Sequence, residues 1–397
     1  MRMMRRGALI GILLCSVSAL FAITVKVGVL HGKSSGTVIF SPINGIYTIK
    51  ADSAQFTLTT QDLAYITYEN GKINLKTLDG WKGVFNKLHI IGKEAGNSFK
   101  LKPVIPYGKL KAYDDDLMVT AGENQLVLVN EVDIDKYVAG VVKSEVGPGA
   151  VLEYYKVQAI ICRTYAMSNF RRHEEEGFQL CDRVHCQVYG GKCNKVDPIT
   201  GIRYTGIGDI VTAAGLTKNI VMVDHDLELI NAAFHANCGG QTVNSEDGWS
   251  LYKSYLRSVK DTFCFSARSA TWETEVTQEK WIEYLKSKYD YPVEDKDEKV
   301  LAIGFTQKDR LVYYCGRENI LLKTLRSDWK LRSSYFSIEQ KGSSLMLKGR
   351  GHGHGVGMCQ QGAMLRAEAK ISYVDILNHY YQDISLIDMA SLRYLLK

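Results

Sequence analysis

Glu145 is the residue of this sequence best placed for proton-transfer chemistry. It lies in an apolar, small-residue stretch, just before the break Gly147-Pro148-Gly149. The C-terminal end of a helix carries partial negative charge, and apolar neighbours remove solvent, so both disfavour a carboxylate there. Both effects raise the pKa, as a carboxyl group requires to donate a proton near neutral pH. The alternative is an exposed helix-end glutamate paired with a lysine such as Lys143, which would oppose this shift.

Cysteine and histidine residues crowd one short segment of the chain. Cys181, His185 and Cys186 are close enough in sequence to share a metal ion, with His173 or Cys193 as a fourth ligand. Zinc accepts Cys and His in tetrahedral geometry. The spacing also permits a disulfide, Cys181–Cys186 or Cys186–Cys193, which an exported protein can form. The sequence thus predicts either a zinc site or a disulfide in this segment.

Two glycine-rich segments also carry histidines. GRGHGHGVGMCQQGA (residues 349–363) has too many glycines for a regular helix and predicts a loop that approaches a ligand or another segment closely. Its His352 and His354 fit a metal site or a cleft wall. FHANCGGQT (residues 234–242) ends in a glycine pair typical of a tight turn. His235 in this segment is either structural or a substrate contact.

Two helices are predicted to position Glu145. Apolar residues recur at helical spacing from Ile134 to Val142, and Asp133 is a plausible N-cap. The Gly-Pro-Gly sequence ends this helix directly after Glu145. A second apolar stripe, from Val151 to Phe170, predicts the following helix.

The remaining pattern predicts an α+β fold class, with mixed sheets and helices lining a cleft, preceded by a mainly β N-terminal domain. Residues 23–125 alternate apolar and polar side chains as strands do, and residues 125–133 form one more strand leading into the first helix. Strand pairs are predicted around residues 305–316. Two C-terminal helices are predicted, one over residues 358–369 and one capped by Ser372.

Residues 1–22 have the pattern of a signal peptide. Arg2, Arg5 and Arg6 form a positive region, and an uncharged, mainly apolar stretch follows to Ala22. This stretch is short for a membrane-spanning helix, which needs about 20 residues. The alternative is an uncleaved membrane anchor. We expect an exported protein that works in the periplasm, in the cell envelope or anchored to the membrane, facing outside the cytoplasm.

The composition is that of a folded globular chain. Hydrophobic residues make up 46% and charged residues 23% of the 397 residues, a length that favours two domains. The predicted division is a signal peptide or anchor at 1–22, a β-rich accessory domain at 23–125 and a catalytic domain at 126–397. The net charge of +6 falls to about +3 without the three leader arginines. This balance does not indicate nucleic-acid binding.

Four segments together resemble one known family. VAGVVKSEVGPGAVLEYYKVQAIICRTYA (residues 138–166) closely resembles the core motif of SpoIID/LytB proteins, the family of stage II sporulation protein D. The resemblance covers roughly residues 120–390. The other matching segments follow in the expected order: CDRVHCQVYGG (181–191), FHANCGGQT (234–242) with SYLRSVKD (254–261), and GRGHGHGVGMCQQGA (349–363).

This resemblance implies a peptidoglycan lytic transglycosylase, which cleaves the MurNAc–GlcNAc bond of peptide-stripped glycan strands and leaves a 1,6-anhydro end. Glu145 would act as the acid and then as the base. The nucleophile is the sugar's own 6-hydroxyl, so no second carboxylate is required. Asp182 is the nearest candidate for one, and a role for it would suit a hydrolase. The resemblance implies these substrate-binding residues: Arg163, Tyr165, Gln187, Tyr189, His235, His352, His354 and Gln360.

The resemblance also bears on the cysteines. Some family members carry a zinc bound by Cys and His beside the cleft, whereas others lack the cysteines. A structural zinc held by Cys181, His185, Cys186 and His173 is therefore implied, and the shared chemistry does not need it. The family pattern has small residues, usually Ser, where this chain has Cys238 and Cys359. Because both positions differ from the family pattern in the same way, we hypothesise a Cys238–Cys359 disulfide bridge.

Two other functions are compatible with the sequence. One is a non-catalytic glycan-binding protein that stimulates a partner N-acetylmuramoyl-L-alanine amidase, the role for which the LytB-type relatives were named. The other is a zinc hydrolase that uses the Cys/His cluster. The expected partners are peptidoglycan glycan strands and, for the first alternative, a cell-wall amidase. A chelator would separate the hydrolase from the transglycosylase.

Overall fold

The computed structural model describes residues 23–194, 196, 201, 206–249, 251–267 and 269–391. The predicted signal peptide lies outside them. The described residues combine a strand-rich N-terminal part with helices and short sheets, which confirms the α+β class. Among them, no helix has the length and apolar character that crossing a membrane requires.

The N-terminal strands follow the alternation in the sequence. Alternate residues of most strands face the core, as in Val25 and Val27, which are fully buried. The strands are β1 (Thr24–Gly28), β2 (Thr37–Asn44), β3 (Tyr47–Ala51), β4 (Ala54–Leu58), β5 (Ala64–Glu69), β6 (Lys72–Thr77), β7 (Gly80–Phe85), β8 (Lys87–Gly92), β9 (Ser98–Ile105), β10 (Lys111–Asp114), β11 (Asp116–Ala121) and β12 (Leu126–Asp133).

These strands form two sheets. The six-stranded sheet has the order β10-β9-β2-β5-β6-β7, and the seven-stranded sheet has the order β13-β1-β12-β11-β8-β3-β4, where β13 is Leu180–Cys181. β1 pairs antiparallel with β12 and parallel with β13. The strand that leads into the first helix and the strand that carries Cys181 therefore share a sheet with the N-terminal segment. The predicted division at residue 125 stays a prediction.

The two predicted helices around the Gly-Pro-Gly break are confirmed. They are α1 (Ile134–Glu145) and α2 (Leu152–Ser168). Asp133 caps α1 by accepting a hydrogen bond of 2.9 Å from the Asp135 N–H. The Tyr155 hydroxyl closes the turn between the helices, because it donates to the Gly147 carbonyl at 2.9 Å and accepts from the Ala150 N–H at 3.1 Å.

The rest of the described chain alternates helices and short strands. Where strand pairs were predicted around residues 305–316, an isolated antiparallel bridge joins Tyr313 to Leu321, and a 3-10 turn occupies Tyr314–Gly316. The Gln307 side chain donates to two main-chain carbonyls, which folds this segment onto a neighbouring strand instead. The elements are α3 (Ile207–Leu216), β14 (Ile220–Val223), β15 (Phe234–His235), α4 (Ser245–Gly248), β16 (Thr271–Thr277), α5 (Gln278–Tyr289), α6 (Lys296–Ile303), α7 (Leu322–Asp328), β17 (Phe336–Lys341), β18 (Ser344–Arg350), β19 (Met358–Cys359), α8 (Gln360–Glu368), α9 (Tyr373–Tyr380) and β20 (Ser385–Asp388).

Three hydrophobic clusters organise these elements. The first joins the N-terminal sheets to α1 and one side of α2. The second joins the other side of α2 to β15, β19, α8 and α9. The third is formed by residues from Trp272 to Leu347 and packs the sheet β16-β18-β17 against the helices of the same segment. Since α2 contributes to the first two clusters, it fixes the α1 end relative to the glycine-rich segments.

Candidate active site

Glu145 is the last residue of α1 and is partly buried. Its Oε1 accepts a hydrogen bond of 3.1 Å from the Val188 N–H. Burial raises the pKa of Glu145, and the Val188 hydrogen bond lowers it by less. The direction is the one predicted from its sequence position. Lys143, the alternative partner, donates from Nζ to the Lys192 carbonyl at 3.3 Å.

The loop after Cys186 is docked on the end of α1. The Gly190 N–H donates to Ser144 Oγ at 2.9 Å, and Ser144 Oγ donates to the Gly140 carbonyl at 2.8 Å. A Cβ on Gly140 would lie only 2.4 Å from the Gly191 carbonyl oxygen, so only glycine permits this approach. Ser144 and the Val188 N–H were not identified from the sequence as part of the site. The position of Ser144 directly before Glu145 in the motif could have indicated its role.

The structure brings the four predicted metal ligands together. The ligand atoms of His173, Cys181, His185 and Cys186 all lie within 4.8 Å of one another. His173 Nε2 is 3.3 Å from His185 Nδ1, which is 3.9 Å from Cys186 Sγ. Of the two predicted candidates for the fourth position, His173 is in this group and Cys193 is not.

Neighbouring groups hold these ligands in place. Glu176 Oε1 lies 2.5 Å from His173 Nδ1, and its Oε2 lies 2.9 Å from His31 Nε2. A carboxylate on one ring nitrogen turns the other toward a metal, and this is the usual support for a histidine ligand. Arg172 donates to the His185 carbonyl at 2.8 Å. Glu176 was not identified from the sequence as a partner of His173. Its position three residues after His173 could have indicated this contact.

The donor set fits zinc. Two thiolates and two imidazoles match its tetrahedral preference, and four protein ligands characterise a structural site. Val188, which holds Glu145, follows Cys186 by two positions. A metal at this cluster would therefore fix the main chain that binds the glutamate.

Arg163 and Tyr189, predicted to contact substrate, lie in the protein core. Arg163 is fully buried, with Nη2 donating to Asp135 Oδ1 at 2.7 Å and to the Ala214 carbonyl at 3.1 Å. The Tyr189 hydroxyl donates to Asn130 Oδ1 at 3.0 Å and is likewise buried. These contacts support α1, α2 and the docked loop from within.

Gln187 is also buried, and its Oε1 accepts from the Tyr137 hydroxyl at 3.4 Å. Tyr165 is partly exposed, and its hydroxyl accepts from Arg172 at 2.7 Å. Asp182 accepts main-chain N–H bonds from Leu30, at 3.0 Å, and from His31, at 3.3 Å. Its carboxylate therefore supports the loop after β1.

The two glycine-rich segments pair with each other. β15 and β19 are parallel, with His235 opposite Cys359. Further along, Asn237 and His352 exchange main-chain hydrogen bonds of 3.1 and 2.8 Å. His352 is exposed, and Gln360, the first residue of α8, is partly exposed. The histidines of both motifs thus belong to one wall.

Burial lowers the pKa of both inner histidines of this wall. His235 Nδ1 donates to the Val356 carbonyl at 3.1 Å, and burial holds its pKa well below the usual range. His354 Nε2 donates to the Phe234 carbonyl at 3.0 Å, and Nδ1 accepts from the Val356 N–H at 3.0 Å. Burial lowers the pKa of His354 to about 4. His235 Nε2 is buried without a hydrogen-bond partner among the described residues.

The turn after Glu145 connects the glutamate to this wall. Val146 and Ala150 pack against both the first and the second hydrophobic cluster, and the second contains Val356 and Met358. The apolar contacts of the turn therefore link the end of α1 to the paired glycine-rich segments.

The described cysteines carry no disulfide. Cys238 Sγ lies 3.4 Å from Cys264 Sγ, while the Cys238 N–H donates to Cys359 Sγ at 3.2 Å. The bridge hypothesised between Cys238 and Cys359 stays a hypothesis, and Cys264 is a third sulfur at the same place.

Comparison with known proteins gives one family and several relatives. Residues 122–223 match the model of the SpoIID family, described as stage II sporulation protein. Stage II sporulation protein D of Bacillus subtilis (strain 168) is 28% identical over 300 residues, which is 72% of this chain and 84% of the relative. An uncharacterized protein of Brachyspira hyodysenteriae is 27% identical over 301 residues, 74% of this chain and 76% of that protein. The amidase enhancer of B. subtilis is 26% identical over 300 residues, 62% of this chain and 40% of the enhancer.

Proposed function

Because the chain belongs to the SpoIID family, we propose that it is a peptidoglycan lytic transglycosylase with Glu145 as its general acid and base. Its substrate is the MurNAc–GlcNAc bond of peptide-stripped glycan strands, and its product carries a 1,6-anhydro end. One observation carries this proposal. Glu145 is partly buried with a raised pKa, and one of its carboxyl oxygens is fixed by the Val188 N–H.

This geometry supports a mechanism with a single carboxyl group. Oε1 accepts the Val188 N–H, so the proton of the acid form belongs on Oε2. That proton passes to the glycosidic oxygen as its bond to the anomeric carbon breaks. The resulting carboxylate takes the proton of the sugar 6-hydroxyl, whose oxygen bonds to the anomeric carbon. The acid form is regenerated, and no water enters the products.

The predicted substrate-binding residues that are exposed to solvent indicate which surface contacts the glycan. His352, Gln360 and Tyr165 present polar groups at least partly to solvent, and we assign them to glycan contact. Arg163 and Tyr189 act on the substrate only by supporting the elements around Glu145.

We further propose a structural zinc at His173, Cys181, His185 and Cys186, where it would hold the loop carrying Val188. Export from the cytoplasm is part of this proposal, since peptidoglycan lies outside.

The test compares the mature protein with Glu145→Gln on amidase-denuded glycan strands. We expect disaccharide products lighter by one water than hydrolytic products. Glu145→Gln should lower their rate by about 100-fold to 10,000-fold, the usual contribution of a general acid–base. Glu131→Gln is the matched control, because Glu131 is a partly buried glutamate of β12 paired with Lys26 and His89. Products of hydrolytic mass would contradict the mechanism and point to a zinc hydrolase.

A second candidate is a glycan-binding protein that stimulates a cell-wall amidase. The relative named amidase enhancer favours it. In that case neither the wild type nor Glu145→Gln would release products, both would still bind denuded strands, and both would accelerate a purified N-acetylmuramoyl-L-alanine amidase. Product formation that depends on Glu145 would exclude this candidate as the sole function.

A further inference from the structure

A second group of potential ligands lies apart from the Cys/His cluster. Cys238, Asp261, Cys264 and Cys359 are all fully buried, and their ligand atoms lie within 4.8 Å of one another. They come from the turn after β15, from the segment at the 3-10 turn Phe263–Ser266, and from the end of β19. Three sulfurs and a carboxylate thus converge from distant parts of the sequence.

We propose that these four residues bind a second structural zinc ion. Cys238 Sγ is 3.4 Å from Cys264 Sγ and 3.6 Å from Asp261 Oδ2. In a tetrahedral site with Zn–S bonds of about 2.3 Å, neighbouring sulfurs lie about 3.8 Å apart. The observed spacing is therefore close to the edge of such a tetrahedron. With four protein ligands and no open position, the site is a structural one.

A disulfide accounts for this group less completely. It would join two of the sulfurs and leave the third as a thiol beside a buried carboxylate. The carboxylate would keep its Arg366 and Tyr380 partners but would have no role in such a bridge. Zinc uses all four groups at once.

The surroundings of Asp261 match those of a metal-binding carboxylate. The Tyr380 hydroxyl donates to Oδ2 at 2.7 Å, and Arg366 Nη2 lies 3.3 Å from Oδ1. Such outer partners orient the ligand and offset part of the negative charge of three thiolates and a carboxylate. A Cβ on Gly362 would lie 1.9 Å from Asp261 Oδ2, so glycine is required for α8 to approach the carboxylate.

Main-chain N–H groups also point at sulfur. Those of Cys238 and Gly362 donate to Cys359 Sγ at 3.2 and 3.3 Å. These bonds fix the position of the Cys359 sulfur beside the other three groups. The site would tie the turn after Cys238 to the start of α8 and so clamp the wall that carries His235 and His354.

The experiment measures zinc in the purified full chain by native mass spectrometry and elemental analysis. We expect two zinc ions per chain in the wild type, and one in Cys359→Ser and in Cys181→Ser. The ion left in Cys181→Ser should give a zinc-edge X-ray absorption shell of three sulfurs and one oxygen. Cys162→Ala and Cys315→Ser are controls outside both clusters, the first matched in burial, and should keep both ions.

Zinc-free Cys181→Ser, or a metal content that Cys359→Ser leaves unchanged, would overturn the proposal. So would a disulfide among Cys238, Cys264 and Cys359 in peptides mapped without reductant after alkylation. If Cys359→Ser does not fold, Cys181→Ser alone decides through its metal content and absorption shell. A wild type with one zinc in a three-sulfur shell would support this site and refute zinc at the Cys/His cluster, so the two outcomes are distinguishable.

Discussion

At the scale of single residues, the raised pKa of Glu145 suits it to donate a proton but lowers the stability of the folded protein. Burial raises its pKa in the folded state above the unfolded value of 4.5. Stability is therefore lost as the pH rises from the unfolded pKa through the folded one, because ionisation is then disfavoured only in the folded protein. Glu145→Gln does not ionise and keeps an oxygen for the Val188 N–H.

We therefore predict that Glu145→Gln is more stable than the wild type at pH 7, although its activity is strongly reduced. The advantage should shrink as the pH falls and vanish below about pH 4, where the carboxyl is protonated in both states. Thermal unfolding across this pH range measures it. Lower stability of the variant at pH 7, or a difference independent of pH, would show that the pKa of Glu145 is not raised.

Arg163 is a residue for which motif membership and burial point to different roles. Replacing it by Leu would leave the Asp135 carboxylate unpaired, and breaking a buried ion pair costs about 3–5 kcal/mol. We predict this loss in urea unfolding of Arg163→Leu, with KM for glycan unchanged at temperatures where the variant is folded. Arg317→Leu is the matched control, since its pair with Glu298 is much more exposed than the Arg163 pair and should contribute less to stability. A raised KM without loss of stability would restore the substrate-binding role.

The pKa direction of Glu145 could be predicted because it depends on local sequence, namely a helix end and apolar neighbours. The burial of Arg163 could not, because its partners Asp135, Ala214 and Ile220 are distant in the chain. The same holds for the Val188 N–H, a main-chain group that no residue type identifies.

At the scale of elements, the contact between α1 and the loop after Cys186 sets the position of Glu145. Gly140→Ala should force the two apart, since its Cβ would meet the Gly191 oxygen at 2.4 Å and the Tyr189 ring at 2.6 Å. We predict a loss of about 1–3 kcal/mol in stability, as for other overpacked sites. Activity should fall as well, because the Val188 hydrogen bond is displaced.

Gly215→Ala provides the control for this prediction. Gly215 is an exposed glycine of α3 with nothing within 4 Å of an added Cβ. Alanine should stabilise that helix by about 0.5–1 kcal/mol and leave activity unchanged. Equal effects of the two substitutions would mean that the α1–loop contact does not matter.

Helices and N-terminal strands were predictable because their periodicity is local. Ser372 caps α9 as expected, accepting from the Asp375 N–H at 3.2 Å. The segment around residues 305–316 was not predictable, because Gln307 bonds to carbonyls of Ser334 and Phe336 and so overrides the apolar alternation. The pairing of β1 with both β12 and β13 likewise depends on contacts between distant segments.

At the scale of the whole molecule, the Cys/His cluster connects three parts of the described chain. Cys181 lies on β13 at the edge of the large sheet, and His173 follows α2. The loop after Cys186 reaches the end of α1. A metal that binds the folded chain alone adds stability by mass action, about 4 kcal/mol at a concentration 1,000 times its Kd. Removing it should loosen this junction while the three hydrophobic clusters stay intact.

We therefore predict that a zinc chelator lowers the melting temperature, speeds amide hydrogen exchange at Val188 and Gly190, and reduces transglycosylase activity until zinc is restored. Because a structural zinc at this position also affects activity, the mass of the products, and not the loss of activity on chelation, separates the transglycosylase from a zinc hydrolase. Cys181→Ser should show the same exchange and activity without chelator, whereas Cys315→Ser should behave as the wild type. Affinity should weaken as the pH falls, because protons compete for the thiolates and imidazoles. If zinc leaves while exchange at Val188 and activity stay unchanged, the cluster stabilises the fold without positioning Glu145, and the glutamate depends on α1 and Ser144 alone.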